Sequence, residues 1–120
     1  MVEGKFIETN RPIVQASVAW NQIVQSPYFL LDTGFTGDLV VPLEVARDLG
    51  VELNGVTTMK TADNKAVPVM SGTAYGVMEG QQLLITVLVS QGIPLLGIGF
   101  SEKFSYKAIV DCKNKTVVLE

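Results

Sequence analysis

"YFLLDTGFTG", residues 28–37, joins an apolar run to a carboxylate and a glycine turn. A strand that is buried on both faces reads as a continuous apolar run, so residues 28–31 predict a buried strand. Asp32 follows this strand directly. An ionised side chain at such a position must be exposed to water or compensated by a partner. Asp32 is therefore either an ordinary turn residue or a functional acid.

The length and composition predict one domain that spans residues 1–120. The chain has 120 residues, of which 48% are hydrophobic, and this is ample for a packed core. In so short a chain, surplus hydrophobicity often means that a partner covers part of the apolar surface, commonly a second copy related by a two-fold axis. A homodimer is therefore expected.

The charge pattern argues against several partners. Nine Lys and Arg residues stand against twelve Asp and Glu residues, with no basic cluster, so no nucleic-acid partner is expected. No apolar run approaches the length of a membrane span, so no membrane partner is expected either. The single cysteine, Cys112, reads as a small buried residue without an intrachain disulfide, and no leader precedes the first strand. These features together predict a cytoplasmic protein.

The absence of histidine restricts the chemistry further. The chain contains no His, so Ser-His and Cys-His nucleophile pairs and His-ligated zinc are excluded. No metal site and no cofactor are predicted. If the protein is an enzyme, carboxylates must perform most of its chemistry.

Short β-branched segments, broken by Gly, Pro and Asn, predict a mostly-β fold. Two short helices are expected, one over residues 42–50 and one over residues 99–105, with Ser101 as the N-cap of the second. Turns are expected at residues 63–65, 79–81 and 113–115. Residues 56–89 should therefore form a meander of three strands.

The triplet Asp32-Thr33-Gly34 is a weak motif alone, because these residues are common in turns. After a buried strand, however, it would display the acid at the floor of a cleft, close to a ligand. Hydrolysis needs two carboxylates that share a proton, and the chain has no second triplet of this kind. Its other aspartates are expected to be solvated; they are Asp38, Asp48, Asp63 and Asp111. A homodimer would supply the second Asp32.

Two stretches and a turn between them carry a family resemblance. "LLDTGFTGDLVVP" (residues 30–42), the turn at residues 63–65 and "TVLVSQGIPLLGIG" (residues 86–99) resemble the single-domain, retropepsin-like aspartic proteases. "DTGFTG" is most similar to their cellular prokaryotic branch. The resemblance covers the chain from about residue 28 to its end. It implies a closed, barrel-like β fold that forms half of an acid protease and acts as a dimer.

The resemblance also implies roles for single residues. Asp32 would be the catalytic acid, Thr33 would brace the two active-site loops across the dimer axis, and Gly34 would contact the substrate. Leu95-Leu96-Gly97 matches the segment that packs beneath the catalytic loop. The hairpin over residues 60–69 corresponds to the flap that closes over bound peptide. The substrate-binding residues would then be Phe35, Thr36, Ala62, Asp63, Asn64, Lys65, Ile93 and Leu95.

The sequence departs from the viral members of this family at three places. The flap tip lacks a glycine-rich run, a bulky Phe35 follows the catalytic triplet, and Ile98-Gly99-Phe100 stands where viral enzymes carry a charged pair. The two chain ends alternate apolar and polar residues, and in dimers of this family such ends interleave into a shared sheet.

The favoured hypothesis is therefore an aspartic endopeptidase that hydrolyses peptide or protein substrates through a dyad of two Asp32 residues. The main alternative is a dimeric module on the same fold that binds peptides or proteins without cutting them. A third reading treats residues 32–34 only as a turn in a β-rich interaction domain.

Overall fold

The computed structural model describes residues 1–60 and 63–120. The strands of this part of the chain are β1 (Val2–Glu3), β2 (Lys5–Ile7), β3 (Arg11–Gln15), β4 (Ser17–Trp20), β5 (Ile23–Gln25), β6 (Tyr28–Leu31), β7 (Leu39–Val41), β8 (Gly55–Lys60), β9 (Ala66–Met78), β10 (Gln81–Val89), β11 (Leu95–Leu96), β12 (Ala108–Asp111) and β13 (Thr116–Leu119). The helices are α1 (Leu43–Leu49) and α2 (Ile98–Lys103). The predicted mostly-β class with two short helices is thus confirmed.

Most of the described strands belong to one curled sheet that forms a half-barrel. Its order is β2-β3-β6-β11-β7-β10-β9-β4-β5, and β8 pairs with β9 outside this path. The β6–β11 and β7–β10 pairs are parallel, whereas the other pairs are antiparallel. The strand that precedes Asp32 is therefore held between β3 and β11 in the interior of the sheet.

The core lies inside this curled sheet. Phe29, Leu39, Leu96 and Phe100 are fully buried in it. Phe29 and Leu39 flank the Asp32 turn on its two strands, so the ends of this turn are fixed by apolar packing.

The predicted three-stranded meander is confirmed. β8, β9 and β10 are consecutive antiparallel strands. The β9–β10 turn contains Glu79 and Gly80, both with positive φ. The tip of the β8–β9 hairpin includes Asp63, Asn64 and Lys65, and Asn64 also has a positive φ. Glycine and asparagine tolerate the left-handed region, so they mark turns reliably.

The first helix agrees with the sequence. α1 ends at Gly50, whose φ of 72° lies in the left-handed region, and the Gly50 N–H donates to carbonyls of the last turn. None of the helices in residues 1–60 and 63–120 is long and apolar enough to cross a membrane.

The second helix begins earlier than predicted. α2 starts at Ile98 with Gly97 as its N-cap, and Ser101 is buried within the helix, so the N-cap expected at Ser101 is wrong. The physical reason is that the first N–H groups of α2 donate to loop carbonyls: Ile98 N–H to Phe35 O at 2.9 Å and Gly99 N–H to Gly37 O at 3.0 Å. These bonds replace a side-chain cap.

The chain ends pair with each other rather than remaining free for a partner. β13 lies between β1 and β12 in a three-stranded sheet, so neither of its edges is open. The expectation that the chain ends interleave with a second copy stays a prediction, and β1 and β12 form the edges of this sheet. The Asp111 carboxylate accepts backbone N–H bonds from Lys113 and Asn114 and so closes the β12–β13 turn. Cys112, expected to be buried, is exposed in this turn.

We predict that Leu39→Ala lowers the free energy of unfolding by about 2–5 kcal/mol, because it leaves a cavity in the core. Leu39 is 0% exposed, whereas Leu84 is 55% exposed and provides a matched control. Leu84→Ala should change the free energy by less than about 0.5 kcal/mol. Urea unfolding at one fixed protein concentration measures both values. Equal effects of the two substitutions would contradict this core.

Candidate active site

The end of β6 positions Asp32. The Asp32 N–H donates to Leu96 O at 3.0 Å, which extends the β6–β11 ladder by one bond. The Asp32 carbonyl accepts the Phe35 N–H at 3.2 Å and so closes a turn. The Gly34 N–H donates to Asp32 Oδ1 at 2.9 Å, and the side chain is half-buried. The carboxylate is therefore oriented by the backbone and still accessible to solvent.

Residues 32–38, here called the Asp32 loop, are fixed against the start of α2. The Gly97 N–H donates to Asp38 O at 2.9 Å, beside the two bonds from Ile98 and Gly99 that cap the helix. The predicted packing of Leu95-Leu96-Gly97 beneath the triplet accordingly consists mainly of backbone contacts. A loop held by so many backbone bonds keeps its acid in one position.

Glycine is required at residue 97 by this close approach. A Cβ atom there would lie 2.3 Å from Gly37 O and 2.6 Å from the Phe35 ring. These contacts are too short for any side chain, so the Leu-Leu-Gly pattern marks a place where two backbone segments touch.

An open cavity of about 1020 Å³ lies above the Asp32 loop. Its lining comes from the loop, from β8, β9, β10 and β11, and from the end of α2. The lining residues are Asp32, Gly34, Phe35, Thr36, Gly37, Asp38, Thr57, Thr58, Met59, Lys60, Ser71, Thr86, Leu88, Leu95 and Lys103. A cavity of this volume is large enough for several side chains of a peptide.

The structure brings only part of the predicted site together. Asp32, Gly34, Phe35, Thr36 and Leu95 share the lining of the open cavity. Four other predicted residues are outside this lining: Asp63, Asn64 and Lys65 in the β8–β9 turn and Ile93 in the loop before β11. The prediction for Ala62 falls outside the described residues. Their role in binding substrate stays a prediction.

Thr33 lines a second, smaller cavity of about 420 Å³. Ile98, Ser101 and Tyr106 are among its other lining residues. The Tyr106 hydroxyl donates to Glu79 Oε1 at 2.7 Å, and burial together with this carboxylate raises the pKa of Tyr106. Tyr106 therefore stays neutral at physiological pH. Asp32 borders both cavities, so Thr33 and Gly34 face different surfaces of the molecule.

The sequence reading missed an ion pair between a buried aspartate and a partly exposed lysine in the site. Asp38, expected to be solvated, is 5% exposed, so that expectation is wrong. Asp38 Oδ2 accepts the Thr86 N–H at 2.9 Å and a bond from Lys103 Nζ at 2.5 Å. Asp38 directly precedes a fully buried strand. This position indicates that Asp38 has a hydrogen-bond or charged partner, because a buried carboxylate needs one, but it does not indicate which residue the partner is.

The other missed residues are on β8. Thr57, Thr58, Met59 and Lys60 line the cavity, although the predicted flap began only at residue 60. The wall of the cavity is therefore the strand itself, and the turn at residues 63–65 lies beyond it. Alternation of polar and apolar residues could have identified the strand but not the face that it turns to the cavity.

The cavity contains one carboxylate that is free for chemistry. Among its described lining residues the acids are Asp32 and Asp38, and Asp38 is buried and paired with Lys103.

Comparison with known proteins identifies the fold. No family model matches the sequence, and no curated protein matches it. Among solved structures, the chain is similar to a retropepsin-like aspartic protease from Rickettsia conorii, with a TM-score of 0.69 and 22% sequence identity. The match covers 98% of this chain and 88% of that one. The expected retropepsin-like fold is thus confirmed.

We predict that Asp38→Ala lowers the free energy of unfolding by about 2–3 kcal/mol, because the Thr86 N–H loses a charged acceptor in a partly buried site. Asp48 is exposed and provides a matched control. Asp48→Ala should change this free energy by less than about 0.5 kcal/mol. Urea unfolding measures both; an Asp38→Ala protein as stable as the wild type would show that the ion pair is unimportant for stability.

Proposed function

From the retropepsin-like fold and the single accessible carboxylate of its cavity, we propose that the protein is an aspartic endopeptidase that acts as a homodimer. The observation that carries this proposal is the placement of Asp32 at the base of an open cavity, on a loop fixed by backbone bonds. Each subunit would contribute one Asp32. The substrates would be peptides or proteins.

The two Asp32 carboxylates would have different protonation states and different roles in the reaction. Like charges at close range cannot both ionise, so one Asp32 would be protonated and the other ionised. The ionised carboxylate takes a proton from water as the water oxygen attacks the scissile carbonyl carbon, and the protonated carboxyl donates its proton to the carbonyl oxygen. Collapse of the tetrahedral intermediate then breaks the C–N bond, and the amine leaves with a proton returned from the dyad.

The other predicted residues have supporting roles in this proposal. Thr33 would brace the two loops across the axis, and Gly34 would lie against the substrate backbone. Phe35, Thr36 and Leu95 would contact substrate side chains, and the β8–β9 hairpin would close over the peptide. The exposed free Cys112 suits a reducing compartment, which agrees with the predicted cytoplasmic location.

An uncovered apolar face supports the presence of a second copy. In the β12–β13 pair, Val110 lies opposite Val117 and Ala108 lies opposite Leu119, so these four side chains share one face. Val117 and Leu119 are buried in the core, whereas Val110 is 39% exposed and Ala108 is also exposed. The core face of this sheet therefore extends past the point where the chain covers it.

The smaller cavity connects this face to Asp32. Ala108 and Ile98 line it together with Asp32 and Thr33, and Ile98 is 44% exposed. Ser101 also lines the cavity, and its buried Oγ has no hydrogen-bond partner within residues 1–60 and 63–120. An apolar surface with an unsatisfied hydroxyl, directly beside a lone catalytic acid, fits an isologous contact with a second copy.

We predict that Asp32→Asn lowers the rate of peptide hydrolysis by at least about 10²-fold, because it removes the acid-base group and leaves the loop intact. Asp48→Asn provides the matched control and should keep wild-type activity. A peptide-library digest, followed by mass spectrometry, measures both proteins at equal concentration. Thermal unfolding and solution mass should be the same for the two variants.

Two results would contradict the proposal in different ways. Retained hydrolysis by a protease-free Asp32→Asn dimer would remove Asp32 from the mechanism. A wild-type dimer that binds peptides but cleaves none, and that gives no bell-shaped pH profile, would favour the alternative of a binding module.

We also predict that Val110→Arg converts the dimer to a monomer and lowers hydrolysis in parallel, because a charge on the uncovered face cannot be buried without a partner. Val24 is 61% exposed on β5 and provides the control Val24→Arg. Solution mass over a dilution series, with activity measured on the same samples, tests both variants. If Val110→Arg stays dimeric and active, the second copy binds elsewhere.

A further inference from the structure

The lining of the open cavity includes an apolar group and a polar group of residues, here called its apolar end and its polar end. One end is apolar, where Phe35, Met59 and Leu95 pack against a small cluster that includes Leu88. The other end is polar, and its lining includes Asp38, Thr86 and Lys103. A ligand that fills the cavity must therefore satisfy both kinds of surface.

Lys103 is the main cation of the polar end. Its ammonium donates to the buried Asp38 carboxylate, while its side chain is 44% exposed and borders the cavity. A lysine ammonium has three N–H donors, and Asp38 Oδ2 accepts one of them. The remaining two donors are available to solvent or to a ligand.

Asp38 holds this ammonium in place before any ligand binds. The Asp38 carboxylate is itself fixed by the Thr86 N–H and by burial, so Lys103 is paired with a rigid acceptor. A preordered donor loses less conformational entropy on binding than a free surface lysine does. This arrangement favours recognition of a hydrogen-bond acceptor of the ligand at a fixed position in the cavity that Asp32 also lines.

A bound peptide would remove water from Lys103. Desolvating an N–H donor without giving it an acceptor costs free energy, and a carboxylate is a stronger acceptor for an ammonium than an amide is. Lys60 also lines the cavity, on the β8 side, and adds a second positive charge. Asp38 is already paired with Lys103, so it offers little repulsion to an incoming acid.

We propose that Lys103 selects peptides that place an Asp or Glu side chain at the polar end of the cavity, while an apolar side chain occupies the end lined by Phe35 and Leu95. This inference rests on the proposed function, because it names the substrate class of the same site. Because Lys103 and Asp32 line the same cavity, the acidic side chain would flank the scissile bond.

Matched peptides test the inference. Each peptide has a fixed central apolar pair and carries either Glu or Gln at one flanking position, so that each pair differs only in charge. The wild-type kcat/KM and the Kd of the inactive Asp32→Asn protein are measured for every pair. At one position, Glu should be favoured over Gln by about tenfold in both measurements.

The informative variant is the double substitution Asp38→Asn/Lys103→Gln. Lys103→Gln alone would leave a buried carboxylate without its counter-charge, whereas the amide oxygen that Asp38→Asn introduces can still accept the Thr86 N–H. The double variant should reduce the Glu preference to about onefold and still bind the Gln peptides. Lys113→Gln removes an exposed lysine of the β12–β13 turn and should leave the preference unchanged.

Salt provides a test on the wild type itself, should the double variant fold poorly. The Glu preference should fall as ionic strength rises to about 0.5 M, because the pair is partly exposed and is therefore screened. A preference that does not change with salt would contradict a charge interaction.

The outcomes separate this inference from the proposed function. Equal use of Glu and Gln by the wild type, or a preference that persists in the double variant, would overturn the role of Lys103. If the Glu preference is lost in Lys60→Gln but kept in the double variant, then Lys60, and not Lys103, selects the acidic side chain. Selective binding of Glu peptides to Asp32→Asn without any cleavage by the wild type would refute the protease activity and retain the Lys103 site.

Discussion

The contact between the Asp32 loop and the start of α2 is the constraint on which the rest of the site depends. Four backbone bonds link the two segments, from the Asp32 N–H to Leu96 O and from residues 97, 98 and 99 back to the loop. These bonds use the helix N–H groups that would otherwise need a cap. The same contact thus ends β6, starts α2 and sets the position of the carboxylate. Gly97 permits it because any Cβ would overlap the loop.

The ion pair between the buried Asp38 and the partly exposed Lys103 joins this contact to a third element. Asp38 belongs to the loop, Lys103 ends α2, and the Thr86 N–H comes from β10. A buried carboxylate is costly without partners, so the arrangement is stable only when all three elements are in register. The pair therefore stabilises the correctly packed arrangement of these three elements around the site. Because Asp38 is paired, Asp32 is the accessible acid among the described lining residues of the open cavity.

The parts of this structure that were predictable from sequence are those set by local patterns. The apolar run before Asp32, the glycine that ends α1 and the turns at residues 79–81 and 113–115 each have a short-range signal. The burial of Asp38 depends on residues 48 and 65 positions away, which no local pattern links to it. The true start of α2 was missed for the same reason, since its cap is formed by the backbone of a distant loop.

The proposed dimer would relate Asp32 to the exposed apolar residues of β12. Asp32 borders the smaller cavity as well as the open one, and that smaller cavity leads to the uncovered face of β12. Ile98 borders the smaller cavity and is 44% exposed, and Val110 is 39% exposed on the neighbouring strand β12. One isologous contact would cover this apolar surface and bring a second carboxylate towards the first. Stability and chemistry would then depend on the same association, so activity should follow the concentration of the dimer rather than that of the chain.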